Sequence, residues 1–386
     1  MEGFERLAVF WLAFSFGIHI VLVNLGIGVS VIAPMLKAYS RRAGRPELGE
    51  EAYRLLRFYA ATYALGGVFG TAFTVYLLSF YPSFVSLLGK MALYNFALAI
   101  AMIALHFLSL TVYYYGWGRL GDRVHDAFGA LLALSALLIP LGFRSVFAQL
   151  NTLEGVEILA GRVVRVDVVE AVLGNPTLPP LYIKSVAASL ALTTVAAAAW
   201  ASLKGRYEIA RMYLKPALAF LTLVALAGAW YGWSLRTVEY KFNNIFGGLG
   251  LGGEPQLDLS WLLALKVLLW IAQVSAIAYA IARGPRRGSK ALLVAAGAAL
   301  VTVPAGEMLN AFSQYPYFIA DRSLVREVLA QLPPSEAEAL ERALTLLEVN
   351  AATRSWVLHI YTLIATTVLL AAAALYAYTT LISRKT

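Results

Sequence analysis

AVFWLAFSFGIHIVLVNLGIGVSVIAPM, residues 8–35, contains no acid, lysine or arginine. About 20 apolar residues suffice for a helix to cross a bilayer, and this run is too long for a signal-peptide core. It is therefore read as a retained first spanning helix. Comparable runs recur near 57–80, 91–115, 127–148, 181–203, 212–234, 260–283, 290–312 and 356–382. The expectation is an all-α, polytopic membrane helix bundle of about nine spans, with residues 1–386 forming a single transmembrane domain. Composition agrees. The chain is 60% hydrophobic and 14% charged, whereas soluble domains carry roughly a quarter charged residues.

Loop charges give the orientation. With nine crossings, the odd loops and the C-terminus share one side. That side holds 18 of the 31 Lys and Arg: Lys37 to Arg57, Arg119 and Arg123, Lys204 to Lys215, Arg283 to Lys290, and Arg384 with Lys385. Ten lie on the other side, and Arg144, Lys184 and Lys266 fall within or at the ends of helices. The excess marks the cytoplasm. The N-terminus is expected outside and the C-terminus inside, in a multi-pass protein of the plasma (cytoplasmic) membrane. A net charge of +9 in a soluble protein would suggest nucleic acid. Here the basic residues follow loop parity, so no nucleic-acid partner is expected and lipid is the surrounding medium. The absence of cysteine excludes disulfides, thiolate metal sites and cysteine-ligated iron–sulfur clusters.

Two outer-face loops are long, 149–180 and 313–355. The second contains LPPSEAEALERALTLLEV. Ser335 with Glu338 reads as a capping box, Glu336, Glu338 and Glu341 suit the positive end of a helix dipole, and Leu340, Leu344 and Leu347 share a face. An amphipathic helix is expected near 335–350. The glycine-rich GGLGLGG at 247–253 follows no strand, so it reads as a flexible turn rather than a phosphate loop.

Polar residues at membrane depth are costly and default to functional candidates. His19 lies deep in the first helix, and haem iron is commonly held by histidine within helix bundles. His106 lies mid-helix in AMIALHFLSLTVYYYGW. It is a second candidate ligand, or a hydrogen-bonding partner of a neighbouring helix. His125, in GDRVHDAFG, reads as a capping or interfacial residue, and His359 as interfacial. Glu307 is a carboxylate inside helix eight. It is suited to proton relay, to iron ligation or to pairing with Arg144, Lys184 or Lys266. Gly66 and Gly70 form a small-xxx-small pair that reads as helix packing. Walker, HExxH and acidic metal motifs are missing, so no hydrolase is indicated.

Several segments resemble, in order, subunit I of the cytochrome bd-type oxygen reductases. They are the first helix with its single His19, YYYGWGRLGDRVHD at 113–126, GRVVRVDVVEAVLGNPTLPPLYIKSVAAS at 161–189, AWASLKGR at 199–206 and GEMLNAFSQYPYF at 306–318. The resemblance implies haem cofactors of b and d type, oxygen reduction, and electrons from quinol on the outer side. His19 stands at the family's haem-ligating histidine, and His125 matches a histidine of less certain role. Other positions depart. Lys184 replaces the low-spin haem's histidine. Lys266 and Leu268 replace an arginine and the partner methionine. Leu98 and His106 replace two glutamates. Ala311 stands at the glutamate ligand, with Glu307 one turn earlier. Residues 235–259 are a short polar turn in place of the quinol loop. The low-spin haem is expected to be absent.

The expected function is a haem-binding membrane subunit of a divergent bd-like respiratory oxygen reductase. It would hold one or two haems, with His19 and His106 as iron ligands and Glu307 and His106 as proton-relay candidates. The electron donor is unknown. The alternative is a haem-poor structural partner whose chemistry resides in a paralogous chain. A transporter is the weakest reading, since no inverted repeat is visible. Either of the first two implies a second membrane subunit of the same fold, as paralogue or homodimer.

Overall fold

The computed structural model describes residues 3–159, 162–319, 322–345, 350 and 356–382. Its backbone is built from helical hairpins. They are α1 (Gly3–Ala43) with α2 (Pro46–Phe80), α4 (Leu93–Tyr115) with α5 (Asp122–Thr152), α6 (Leu178–Leu203) with α7 (Tyr207–Ser234), and α9 (Ser260–Arg283) with α10 (Ser289–Phe312). These eight are long and apolar enough to cross a membrane. The last helix, α13 (Trp356–Ile382), carries a shorter apolar stretch, Thr362–Tyr378, at the expected ninth position. It packs on α2, where Tyr76 and Thr366 hydroxyls meet at 2.7 Å.

Hydrocarbon gives no hydrophobic drive for helices to associate, so close packing must hold the bundle together. Small residues supply it. The centre is α6, whose LALTTVAAAAWAS run is largely buried. Gly28 of α1 faces it so closely that an added Cβ would lie 2.6 Å from the Ser189 carbonyl oxygen. Gly142 of α5 does the same for α4, where a Cβ would lie 2.8 Å from the Asn95 carbonyl oxygen. At the expected cytoplasmic ends, ion pairs clamp the hairpins. Arg41 meets Asp122 and Asp126, and Arg206 meets the buried Glu51.

The outer-face segments depart from their expected form. The 149–180 loop contains a small antiparallel hairpin, β1 (Val156–Leu159) with β2 (Arg162–Val166). Between α2 and α4 a short helix, α3 (Pro82–Met91), buries Phe84, Leu88 and Met91. The 235–259 segment is no simple polar turn, because it forms α8 (Glu239–Phe246). The glycine-rich stretch that follows is tied down rather than flexible. The Asn243 side chain accepts from Gly253 N–H, and the Asn244 side chain accepts from Gln256 and Leu257 N–H while donating to the Ser313 and Tyr315 carbonyls. Beyond α11 (Arg322–Ala330), the amphipathic helix α12 runs Pro334–Leu344. Pro333 is its N-cap and makes no side-chain cap bond, so Ser335 lies inside the helix and the capping box does not form. Proline at the first helical position is already set to helical φ, which makes a side-chain cap dispensable. Leu340 and Leu344 face the core and the three glutamates face solvent. Leu347 lies outside the described residues.

The chain lacks cysteine, so single-cysteine variants report topology cleanly. Leu251→Cys in the 247–258 loop is expected to react with an impermeant maleimide in intact cells. Arg119→Cys should react only after permeabilisation. The opposite labelling pattern would invert the orientation.

Candidate functional site

His19 sits on a shelf made by α2. Its Nδ1 lies 2.9 Å from the Gly66 carbonyl oxygen, which fixes the tautomer as Nδ1–H donating. One turn on, Gly70 makes room for the ring, since a Cβ there would lie 2.6 Å from His19 Cε1. The two glycines therefore carry an imidazole as well as helix packing. His19 Nε2 has no protein partner among the described residues. Histidines that ligate metals commonly have this arrangement, with one nitrogen pinned to a carbonyl and the other available.

The same imidazole lines a cavity of about 990 Å³ between α1, α2, α4, α5 and α10. Its walls are mainly apolar and aromatic, including Phe73, Phe96, Phe143, Phe147 and Phe312. The volume and lining suit a large flat apolar cofactor. Among the described residues lining it are no acids, and Arg144 is the only lysine or arginine.

His106 also lines this cavity and is buried, but both of its ring nitrogens are engaged. The Tyr59 hydroxyl lies 2.8 Å from Nε2, and Nδ1 lies 3.1 Å from Ser135 Oγ. Ser135 in turn donates to the Leu132 carbonyl. This places the proton on Nδ1 and makes Tyr59 the donor to Nε2. In this geometry His106 has no nitrogen to give to iron, and it forms a hydrogen-bonded chain Tyr59–His106–Ser135.

Glu307 does not line the cavity as a free carboxylate. It is held by a two-bond fork from Arg144, with Nη1–Oε2 at 2.7 Å and Nη2–Oε1 at 2.5 Å. Both side chains are largely buried. Behind the pair stand Lys184 of α6 and Lys266 of α9, within electrostatic reach of Glu307 and of one another. Lys184 Nζ lies 4.7 Å from the centre of the Tyr231 ring, and Lys266 runs along Gly306, 3.3 Å from where a Cβ would stand. Helices six, nine and ten thus bring together the lysines and the carboxylate that the sequence offered separately.

A residue that sequence reasoning missed completes the outer end. Lys241 of α8 is 0% exposed, and its ammonium donates to Asn151 and Asn310 side-chain oxygens at 2.9 and 2.8 Å. Tyr231 also donates to Asn310, and Asn151 donates to Thr177. Burial lowers the Lys241 pKa to about 7, with the nearby Glu307 charge opposing the shift. The only signal in the sequence was an isolated lysine in a loop between spans. His125, in the first turn of α5, is likewise tied down within the protein. It is fully buried, with Nε2 donating to the Tyr113 carbonyl and Nδ1 accepting from Lys37 at 2.7 Å. His359 is buried, its ring 6.5 Å from that of Phe80.

Comparison with known proteins fits this arrangement. The family profile described as cytochrome bd terminal oxidase subunit I matches residues 7–241. The chain belongs to this family. A solved chain of the bd oxidase from Geobacillus thermodenitrificans has the same fold, with a TM-score of 0.79 at 18% identity over 100% of both chains. No curated protein sequence matches significantly. The protein is thus a multi-pass membrane subunit of the bd oxidase kind, a respiratory oxidase component.

The family positions separate in space. Ala311, which the sequence resemblance sets against the family's glutamate ligand, lines the cavity, while Glu307 turns to Arg144. Leu98 and Leu268 are 37% and 64% exposed on the outer surface of the bundle, so neither faces the cavity or the ion cluster.

Removing one member of a buried ion pair strands its partner. Glu307→Gln or Arg144→Gln alone is expected to cost about 3–5 kcal/mol. The double variant should recover most of the loss, as read by thermal melts in detergent. Additive losses would show that the pair is uncoupled. Lys241 gives a pH signature. Its folded pKa of about 7 lies below the ordinary 10.5, so between these values the unfolded chain holds the proton and the folded chain does not. Stability therefore rises with pH across that window, and Lys241→Gln should flatten the rise in melts at pH 7 and about 9.5.

Proposed function

We propose that this chain is a haem-bearing subunit of a divergent bd-type oxygen reductase complex, with His19 Nε2 as the iron ligand. The observation that carries the reading is the His19 shelf. One nitrogen is pinned to the Gly66 carbonyl, the other is free of protein partners among the described residues, and the ring stands on the wall of a cavity of haem-like size and polarity. When bound, haem supplies an iron that takes electrons and binds oxygen. The chain's own residues hold and orient it. The hydrogen bond to Gly66 fixes the imidazole rotamer and raises the basicity of Nε2. The aromatic walls keep bulk water out. The Tyr59–His106 pair places a movable proton on the same wall, between the phenol oxygen and Nε2. His106 thereby acts as a proton carrier rather than an axial ligand. Glu307, locked to Arg144, serves neither role.

The place of the family's low-spin haem ligand is taken by Lys184, and Lys266 stands beside it with Glu307 and Arg144 as neighbours. Lysine is charged at neutral pH unless strongly desolvated and is a poor haem ligand. This supports a complement of one haem, or a haem-poor role beside a catalytic paralogue. The short 235–259 segment supports an electron donor other than quinol at that place, with a second membrane subunit of the same fold beside this chain.

The purified chain is expected to yield about one haem per polypeptide in a pyridine haemochrome assay. His19→Ala should abolish the reduced-minus-oxidised bands, and His106→Gln should retain them. A haem spectrum indifferent to His19→Ala would overturn the ligand assignment. A wild-type chain without haem would move the chemistry to the partner.

A further inference from the structure

The cavity has a polarity that the iron ligand does not explain. Its walls are apolar, yet they carry one cation, Arg144, and the Gln314 amide. Arg144 has five N–H donors, and two of them go to Glu307. Behind that pair the charge is unbalanced. Arg144, Lys184, Lys266 and Lys241 surround a single carboxylate, Glu307. Among the described residues, neither Lys184 nor Lys266 has a carboxylate within ion-pair distance. Nearby, the Asn310 amide nitrogen is buried without a partner, because the Asn310 oxygen already takes Lys241 and Tyr231. The outer part of the site therefore has more hydrogen-bond donors than acceptors. A buried surplus of donors is costly unless an acceptor meets it.

The offset between the imidazole and the cation suits an amphiphilic dianion. Gly17, two residues before His19, faces Pro304 and Met308 of α10, and Glu307 follows Pro304 toward the outer end of that helix. The cation paired with Glu307 therefore stands outward of the imidazole shelf. A haem joins a flat apolar ring around its iron to two carboxylates on one edge.

We propose that Arg144, backed by Lys184 and Lys266, seats the propionate carboxylates of the haem and so points that edge of the ring toward the outer face. The inference rests on the haem reading above and adds its orientation. Lys184 and Lys266 neutralise Glu307 from behind, which leaves the cavity face of Arg144 effectively cationic. They act as positioning residues and do not touch the iron.

The test uses full-length chain made in a haem-deficient host and titrated in detergent with haem b or with its dimethyl ester, which lacks both negative charges. Wild type is expected to bind the free acid at least about tenfold more tightly than the ester. Arg144→Gln with Glu307→Gln should remove the preference while His19 still gives its absorbance bands. Should that double variant be recovered unfolded, Lys184→Gln and Lys266→Gln carry the test, since both leave the ion pair intact. Each should lower the midpoint potential of the bound haem, because losing a neighbouring cation favours the oxidised iron. Equal binding of acid and ester, or potentials unmoved by both lysine variants, would overturn the propionate seat and leave the His19 assignment standing. Uptake of neither form would overturn the haem reading and this inference with it.

Discussion

The fork between Arg144 and Glu307 is the contact on which the outer half of this bundle depends. It joins α5 to α10 at a depth where water cannot serve either charge. Isolated, each would be among the most expensive groups in the protein. Paired, they become a fixed point around which the neighbouring helices organise. Lys184 comes in from α6, Lys266 from α9 and Lys241 from α8 above. Gly306 and Tyr231 give the two long lysines surfaces to lie against. The pair also separates two environments, with a mainly apolar cavity on one side and a basic cluster on the other.

The fold was largely legible in the sequence because lipid imposes a length and a composition on anything that crosses it. Residues 8–35 and their counterparts announce themselves without reference to tertiary structure. What escaped was short and polar. The β1–β2 hairpin and α8 are too brief for periodicity to register, and α8 is held by the side chains of Asn243, Asn244 and Lys241 as well as by Phe242, Ile245 and Phe246. The capping box at Ser335 failed for a related reason. A local motif competed with Pro334, and the proline set the helix start.

The site was legible residue by residue but not in its pairings. His19 stood out as a lone titratable group in an apolar run. Nothing in the sequence joined it to Gly66, since the two are brought together by α1–α2 packing. The glycines of α2 looked like ordinary packing until the imidazole was seen to occupy the space a side chain would fill. His106 was visible as polar, but its role depends on Tyr59 and Ser135, which lie on two other helices. That pairing turned a candidate iron ligand into a candidate proton carrier. Lys184, Lys266 and Glu307 were each visible, while their meeting required knowing how α6, α9 and α10 pack.

The surplus of basic side chains under α8 has a further consequence. A subunit threaded by buried polar groups, from Lys241 through Asn310 to Arg144, risks becoming a leak in an energised membrane. Cations approaching this thread from outside meet four basic side chains and one carboxylate already claimed by Arg144. Fixed positive charge in a narrow, poorly hydrated passage repels protons and metal cations alike. Basic side chains in this position thus oppose the entry of cations and help keep the bundle tight against the ion gradient that a respiratory complex maintains.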